Sequence, residues 1–210
     1  MARREDQARR AEVIEQVGSL LKESGYLLLM EPAEGEVCRA LHGASAQAAE
    51  NNDRLHLFAP YFNGSPCPLL EMDSKYFSHE VRPCTPPPMV EEINHHLNLE
   101  IREVKFGMSM LARNQGSTLS DHSGVLRIIS PVRKRKGTIS FWGISVDGKE
   151  VEVEWQRRNL AKEDQKNLLS LQRGDIIDQI SISESKDLRI RLEKADDIRP
   201  LFLPRWDQAD

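Results

Sequence analysis

Apolar side chains recur at helical spacing early in the chain, at Val13, Ile14, Val17, Leu20 and Leu21, and Gly25 stands where a left-handed C-cap residue would end a helix. The apolar run from Tyr26 to Met30 follows at once, bounded by Gly25 on one side and by Glu31 and Pro32 on the other. An unbroken run of that kind predicts a strand covered on both faces, as in parallel sheets with helices on either side. The alanine-rich stretch from Ala33 to Asn52 predicts the next helix. Arg54 to Ala59 then alternates polar with apolar as a strand does. Up to Ala59 the pattern therefore reads α, β, α, β.

From Pro60 to Pro88 the character changes. Prolines at 60, 66, 68, 83, 86, 87 and 88 forbid long regular elements, so this stretch reads as a structured insertion or a functional loop. A short helix over Val90 to Leu97 and a strand over Glu103 to Leu111 come next. Gln115 to Ser123, rich in Ser, Thr and Gly, reads as a linker. Beyond it Val125 to Ile129, Thr138 to Ile144 and Val151 to Trp155 read as strands, with Asp147 and Gly148 turning the last two. Asn159 to Leu171 is helical in pattern, and Ile176 to Ile182 and Leu188 to Leu192 are further strands. Five strands with one helix suit a small OB-like barrel. The chain thus divides into an α/β unit over 1–114 with an insertion at 60–88, a linker at 115–123, a small β-barrel over 124–194 and a tail over 195–210.

Composition narrows the function classes. With 210 residues, 39% of them hydrophobic, the chain can bury a substantial core. Lys and Arg total 29 against 33 Asp and Glu, a net charge of -4, which excludes a uniformly basic nucleic-acid wrapper and leaves room for a local basic patch. No apolar run approaches the roughly 20 residues of a bilayer span, so no membrane partner is expected. The opening MARREDQARR lacks the apolar core of a secretory signal and carries acids that transit peptides avoid. A cytoplasmic setting is the expectation, or a mitochondrial matrix in a eukaryote.

Cys38, Cys67 and Cys84 are odd in number and form no CxxC, so neither a disulfide framework nor a closed zinc site is written into the chain. His95 and His96 diverge by about 100° on a helix. His42, His56, His79 and His122 repeat no metal-ligand spacing, and no GxSxG elbow is present. Structural or solvent roles are expected for the histidines, and hydrolase chemistry has no support.

The run Leu20-Leu21-Lys22-Glu23-Ser24-Gly25-Tyr26-Leu27-Leu28-Leu29-Met30-Glu31-Pro32 resembles the helix, glycine turn and fifth strand of class I S-adenosylmethionine methyltransferases. It is followed by Ala59-Pro60, Pro66-Cys67-Pro68-Leu69, Asp73, Phe77-Ser78, Phe106, Leu126-Arg127-Ile128, Pro131, Arg133-Lys134-Arg135-Lys136-Gly137 and Asp147-Gly148. That order is similar to the C-terminal half of the methyltransferase-like family that acts in assembly of the mitochondrial small ribosomal subunit, with its bacterial relatives. The similarity runs from about Arg9 to about Asp178. It implies an α/β fold, the C-terminal half of a Rossmann-like methyltransferase sheet followed by a small OB-like β-barrel. The partners it implies are small-subunit ribosomal RNA or the ribosome.

The family's cofactors are S-adenosylmethionine and an iron-sulfur cluster, and the chain departs from both. Of the positions that the resemblance aligns with cluster cysteines only Cys67 is a thiol; the others are Tyr61, Lys75 and Ile144, and one thiolate cannot hold a cluster that takes four. Cys67 then reads as a packed thiol or as a residual ligand. The Gly-rich loop and the acidic residue that hold S-adenosylmethionine belong to the family's preceding half, and the glycines of Gly143 to Gly148 lie in a hairpin where they cannot aim a helix N-terminus at a ligand. No cofactor, metal or catalytic residue is expected within this chain. With that half absent, one edge of the strand at Leu27 to Met30 lacks a partner, which invites a separate cofactor-binding polypeptide, a second copy or a ribosomal partner.

The candidate RNA contacts are Arg113, Arg127, Arg133, Lys134, Arg135 and Lys136, since clustered cations supply the sequence-independent part of RNA binding. The alternative is a solvated strand end. Phe141 and Trp142 point to opposite faces of one strand and are expected in core. Two functions stay open, a methyltransferase-like small-subunit assembly factor, non-catalytic without its cofactor half, and a free-standing RNA-binding or protein-interaction module; a truncated or decaying gene product is a third possibility.

Overall fold

The computed structural model describes residues 2–61, 64–70, 77–114, 124–145, 148–178, 180 and 189–203. The linker at 115–123, together with Lys75, Asp147 and His122, lies outside the described residues. The chain is a mixed α/β structure with four α-helices and two sheets among those residues.

The first unit runs α1 (Ala2–Ser19), β1 (Tyr26–Pro32), α2 (Gly35–Asn51), β2 (Leu55–Ala59), β3 (Glu80–Pro83), α3 (Pro88–Leu97) and β4 (Glu103–Arg113). β4 is the long central strand. It pairs antiparallel with β1 on one side and with β2 on the other, and its first half also pairs with β3. The expected parallel sheet covered on both faces is therefore corrected: β1 alternates between half-buried and exposed positions, and Tyr26, Leu28 and Met30 are 45%, 52% and 54% exposed. Leu27 and Leu29 face inward, where they join Ala11, Ile14, Ala44, Ala48, Leu55 and Leu111. Small residues on α2 let α1 and the sheet approach closely. Gly107 on β4 serves the same end, because a Cβ there would stand 2.6 Å from Cys38 Sγ on α2.

α1 ends at Ser19, earlier than the expected stop at Gly25, and carries no basic residue in its last turn. Its open carbonyls are met from outside the helix. Arg113, at the end of β4, donates from Nη1 to the Ser19 carbonyl at 3.1 Å and also to the Leu21 carbonyl. Gly25 closes a second turn, its N–H donating to the Lys22 carbonyl at 2.8 Å, in a space too tight for a Cβ.

The second unit contains β5 (Leu126–Ile128), β6 (Arg133–Lys134), β7 (Thr138–Ser145), β8 (Glu150–Gln156), α4 (Lys162–Ser170), β9 (Ile176–Asp178), β10 (Arg189–Leu192) and β11 (Arg199–Phe202). Its sheet runs β10-β8-β7-β5-β9-β11, with β6 on β7. Among the described residues no ladder joins β10 to β11, so the expected barrel is not closed by hydrogen bonds. Side chains near both ends, Ile190 and Leu192 on β10 and Ile198 before β11, still reach one core built on Leu126, Phe141, Val153 and Trp155. The edges are held by cross-strand ion pairs at matching registers, Arg189 with Glu152 at 2.9 Å and Arg191 with Glu154 at 3.3 Å.

Strand β11 falls in the expected tail, β3 in the proline-rich insertion, and both the pair of cations in β6 and the four residues of β3 are too short to show a period. Arg113→Leu is expected to lower stability by about 1–2 kcal/mol, the scale of a helix-terminal contact, read as a fall in denaturation midpoint.

Candidate functional site

The proline-rich segment is the joint between the two sheets. β3 carries Glu80 and Arg82 into it, and β5 carries Arg127; all three side chains are buried. The Glu80 carboxylate accepts from Arg127 through Oε1 and pairs with Arg82 Nη2 at 2.6 Å through Oε2. Arg82 Nη1 also donates to the Arg173 carbonyl at 2.9 Å, across the joint. The Arg127 guanidinium lies 5.3 Å from the centroid of the Tyr61 ring. A carboxylate between two guanidiniums repays part of its desolvation through the charge-assisted hydrogen bond from Arg127 and the ion pair with Arg82, and it is weakened badly when one partner is removed. Gly174 sits at φ +91, a backbone region that favours glycine, and a Cβ there would meet Glu80 and stand 2.8 Å from Arg82 Nη2.

Three positions that the resemblance aligns with cluster cysteines meet at this joint. Tyr61, Cys67 and Ile144, with Leu69 and Ile129, form one buried cluster, against which Trp142 packs. A phenol, one thiol and an aliphatic side chain do not fit an iron-sulfur cluster: the ring and the alkyl group pack where ligands would converge. Burial pushes the Cys67 thiol up, away from the thiolate that a metal needs. Cys38 is buried between α2 and β4, and its thiol too is raised, chiefly by burial. Nor does the chain offer a phosphate cradle at the turn from β1 into α2, where Glu31, Glu34 and Glu36 would repel an anion.

The expected RNA contacts separate into two groups. Arg133, Lys134, Arg135 and Lys136 are exposed and form one hairpin arm, β6 and its turn into β7, with Arg135 N–H donating to the Thr138 carbonyl at 2.8 Å. Arg113 is corrected to a helix-capping residue and Arg127 to a buried joint residue, 2% exposed. Arg127 deceives because Leu126-Arg127-Ile128 alternates like a strand facing water, whereas its outer face is covered by the first unit. Phe141 lies in the core, 5.8 Å from the Trp155 ring, and Trp142 is half-buried at the joint, so both are core residues as expected.

The sequence reading missed the cations that complete this arm. Arg157, Lys162 and Lys166 stand beside Lys134 around an open groove of about 650 Å³. They were hidden because Arg157 follows β8 and the lysines sit on α4, brought together only by the fold.

Two histidines belong to the joint. His42 on α2 is 4% exposed, and burial, then the Arg127 charge, holds its pKa down at about 4. His79 stacks on Phe77 at 4.4 Å, and burial, then Arg173, holds it at about 4 as well. Both are structural, in keeping with expectation. No family model matches the chain, and no curated protein matches it.

Arg127→Met is expected to cost about 3–5 kcal/mol, because it leaves the buried Glu80 carboxylate with Arg82 alone and one oxygen without its donor, and denaturant unfolding measures it. Between pH 6.5 and 4 the unfolded chain takes up protons on His42 and His79 that the folded chain refuses, so stability is full above pH 6.5 and falls toward pH 4. His42→Phe should flatten that fall when urea midpoints are compared across the range.

Proposed function

We propose that this chain is the C-terminal, RNA-holding half of a methyltransferase-like protein that acts in assembly of the small ribosomal subunit. One observation carries the reading: Ile144, from the second unit, meets Tyr61 and Cys67 of the proline-rich segment in one buried cluster, and all three are positions that the resemblance aligns with the family's cluster cysteines. The contact of Ile144 with that segment is what a shared frame would produce. The order β1-β4-β2 supports it further, since in class I methyltransferase sheets the last strand turns back antiparallel between the fifth and sixth.

In this reading the second sheet is an OB-like barrel, and Arg133, Lys134, Arg135 and Lys136 contact ribosomal RNA phosphates. In this reading the chain is non-catalytic by itself, because the Gly-rich loop and acidic residue by which the family holds S-adenosylmethionine have no counterpart in the sequence. A cofactor-binding half, on this polypeptide or another, would add its strands at the edge of β1 opposite β4. Methyl transfer would need that half.

The reading is tested by sedimenting a lysate of the native cell through a sucrose gradient at low salt. The chain should travel with small-subunit precursors and return to the top of the gradient after ribonuclease treatment. A chain that stays at the top throughout contradicts the proposal.

A further inference from the structure

The groove beside the basic hairpin extends the interface beyond the residues that the sequence pointed to. Lys162, Gln165, Lys166 and Leu169 recur at helical spacing along one face of α4, with Arg157 and Lys134 facing them. Glu163 and Asp164 lie off that face. Among the described residues no acidic side chain is within ion-pair distance of Lys134, Arg157, Lys162 or Lys166, whereas Arg189, Arg191 and Arg199 on the edge strands are all paired with acids.

The groove is also built rather than incidental. Gln165 accepts from Arg157 Nε at 3.2 Å and returns its own N–H groups to the Arg157 carbonyl at 3.1 Å and the Leu160 carbonyl at 3.2 Å. Arg157 Nη1 donates to the Arg135 carbonyl at 3.3 Å, and its backbone N–H to the Gly137 carbonyl at 2.8 Å. One arginine thereby fixes the hairpin arm to α4 and holds the two cationic walls at a set spacing. Leu169 is half-buried and the lining holds no aromatic side chain, so neither insertion into a bilayer nor stacking of splayed bases is provided for. Phe141 and Trp142, the aromatic pair on the adjoining strand, are spent on core.

We propose that this groove, through Lys134, Arg157, Lys162 and Lys166, holds the phosphate backbone of double-helical RNA, recognised by charge and shape rather than by bases. The inference rests on the RNA reading above and gives it a substrate class. Shape-reading of A-form duplexes through phosphates and 2′-hydroxyls needs spaced cations on a rigid frame, which is what Gln165 and Arg157 supply.

The test is fluorescence anisotropy of the full chain with a labelled RNA duplex of about 16 base pairs, the span of comparable shape-reading domains, and with a single strand of uridines of equal length. Wild type should prefer the duplex, with a steep salt dependence. Lys162→Gln/Lys166→Gln, which changes only exposed side chains, should lower the slope of log affinity against log salt by about 2, and adding Arg157→Gln by about 3. Circular dichroism checks that each variant folds. If the variants bind with unchanged slope while wild type binds RNA, the groove is wrong and the RNA reading stands. No binding by wild type at low salt sinks both. Equal affinity for the single strand, or displacement by polyglutamate as readily as by unlabelled duplex, overturns the duplex assignment.

Discussion

The buried contact of Glu80 with Arg127 and Arg82 is the constraint on which the two halves of this structure depend. Each sheet has its own core, one around Leu111 and Ala48, the other around Phe141 and Trp155. Neither core crosses between them. What crosses is a carboxylate on β3 held by a guanidinium on β5, backed by Arg82 on the Arg173 carbonyl and by the Tyr61, Cys67 and Ile144 cluster. Such a joint is selective in geometry, because a displaced partner leaves a charge stranded without water. It therefore orients the second sheet on the first instead of merely attaching it.

That orientation explains the uneven distribution of charge. In the second unit Arg127 and Arg173 stand at the joint, and Arg189, Arg191 and Arg199 are paired with acids along the edge strands. Arg133, Lys134, Arg135 and Lys136 on the β6 hairpin and Lys162 and Lys166 on α4 are exposed, with no acidic partner among the described residues. β7 links the two regions physically: Ile139 and Phe141 enter the second core while Ile144, with Trp142 packed beside it, builds the joint. A single strand thus joins the basic hairpin to the seam between the sheets.

Much of the secondary structure was legible in the chain, because β1, β2, β4, β7 and β8 and the helices α1, α2 and α4 are long enough to show a period. Pairing was not. The apolar run at Tyr26 to Met30 reads as a strand buried on both faces, yet only Leu27 and Leu29 are turned inward, since which face is covered depends on elements elsewhere. β3 and β6 are short, and proline or charge masks them. At the site, the hairpin cations were visible as a run, but Arg157, Lys162 and Lys166 belong to other elements, and Arg127 and Arg113 look like surface cations until their nonlocal partners are known.

The most direct measurement is ultraviolet crosslinking of the chain to RNA in its native cell, followed by sequencing of the RNA and mapping of the crosslinked peptides. The account predicts small-subunit ribosomal RNA, enriched in duplex segments, attached to peptides spanning Arg133–Lys136 and Lys162–Lys166. Crosslinks confined to unrelated RNAs, or to peptides of the first unit alone, would contradict it.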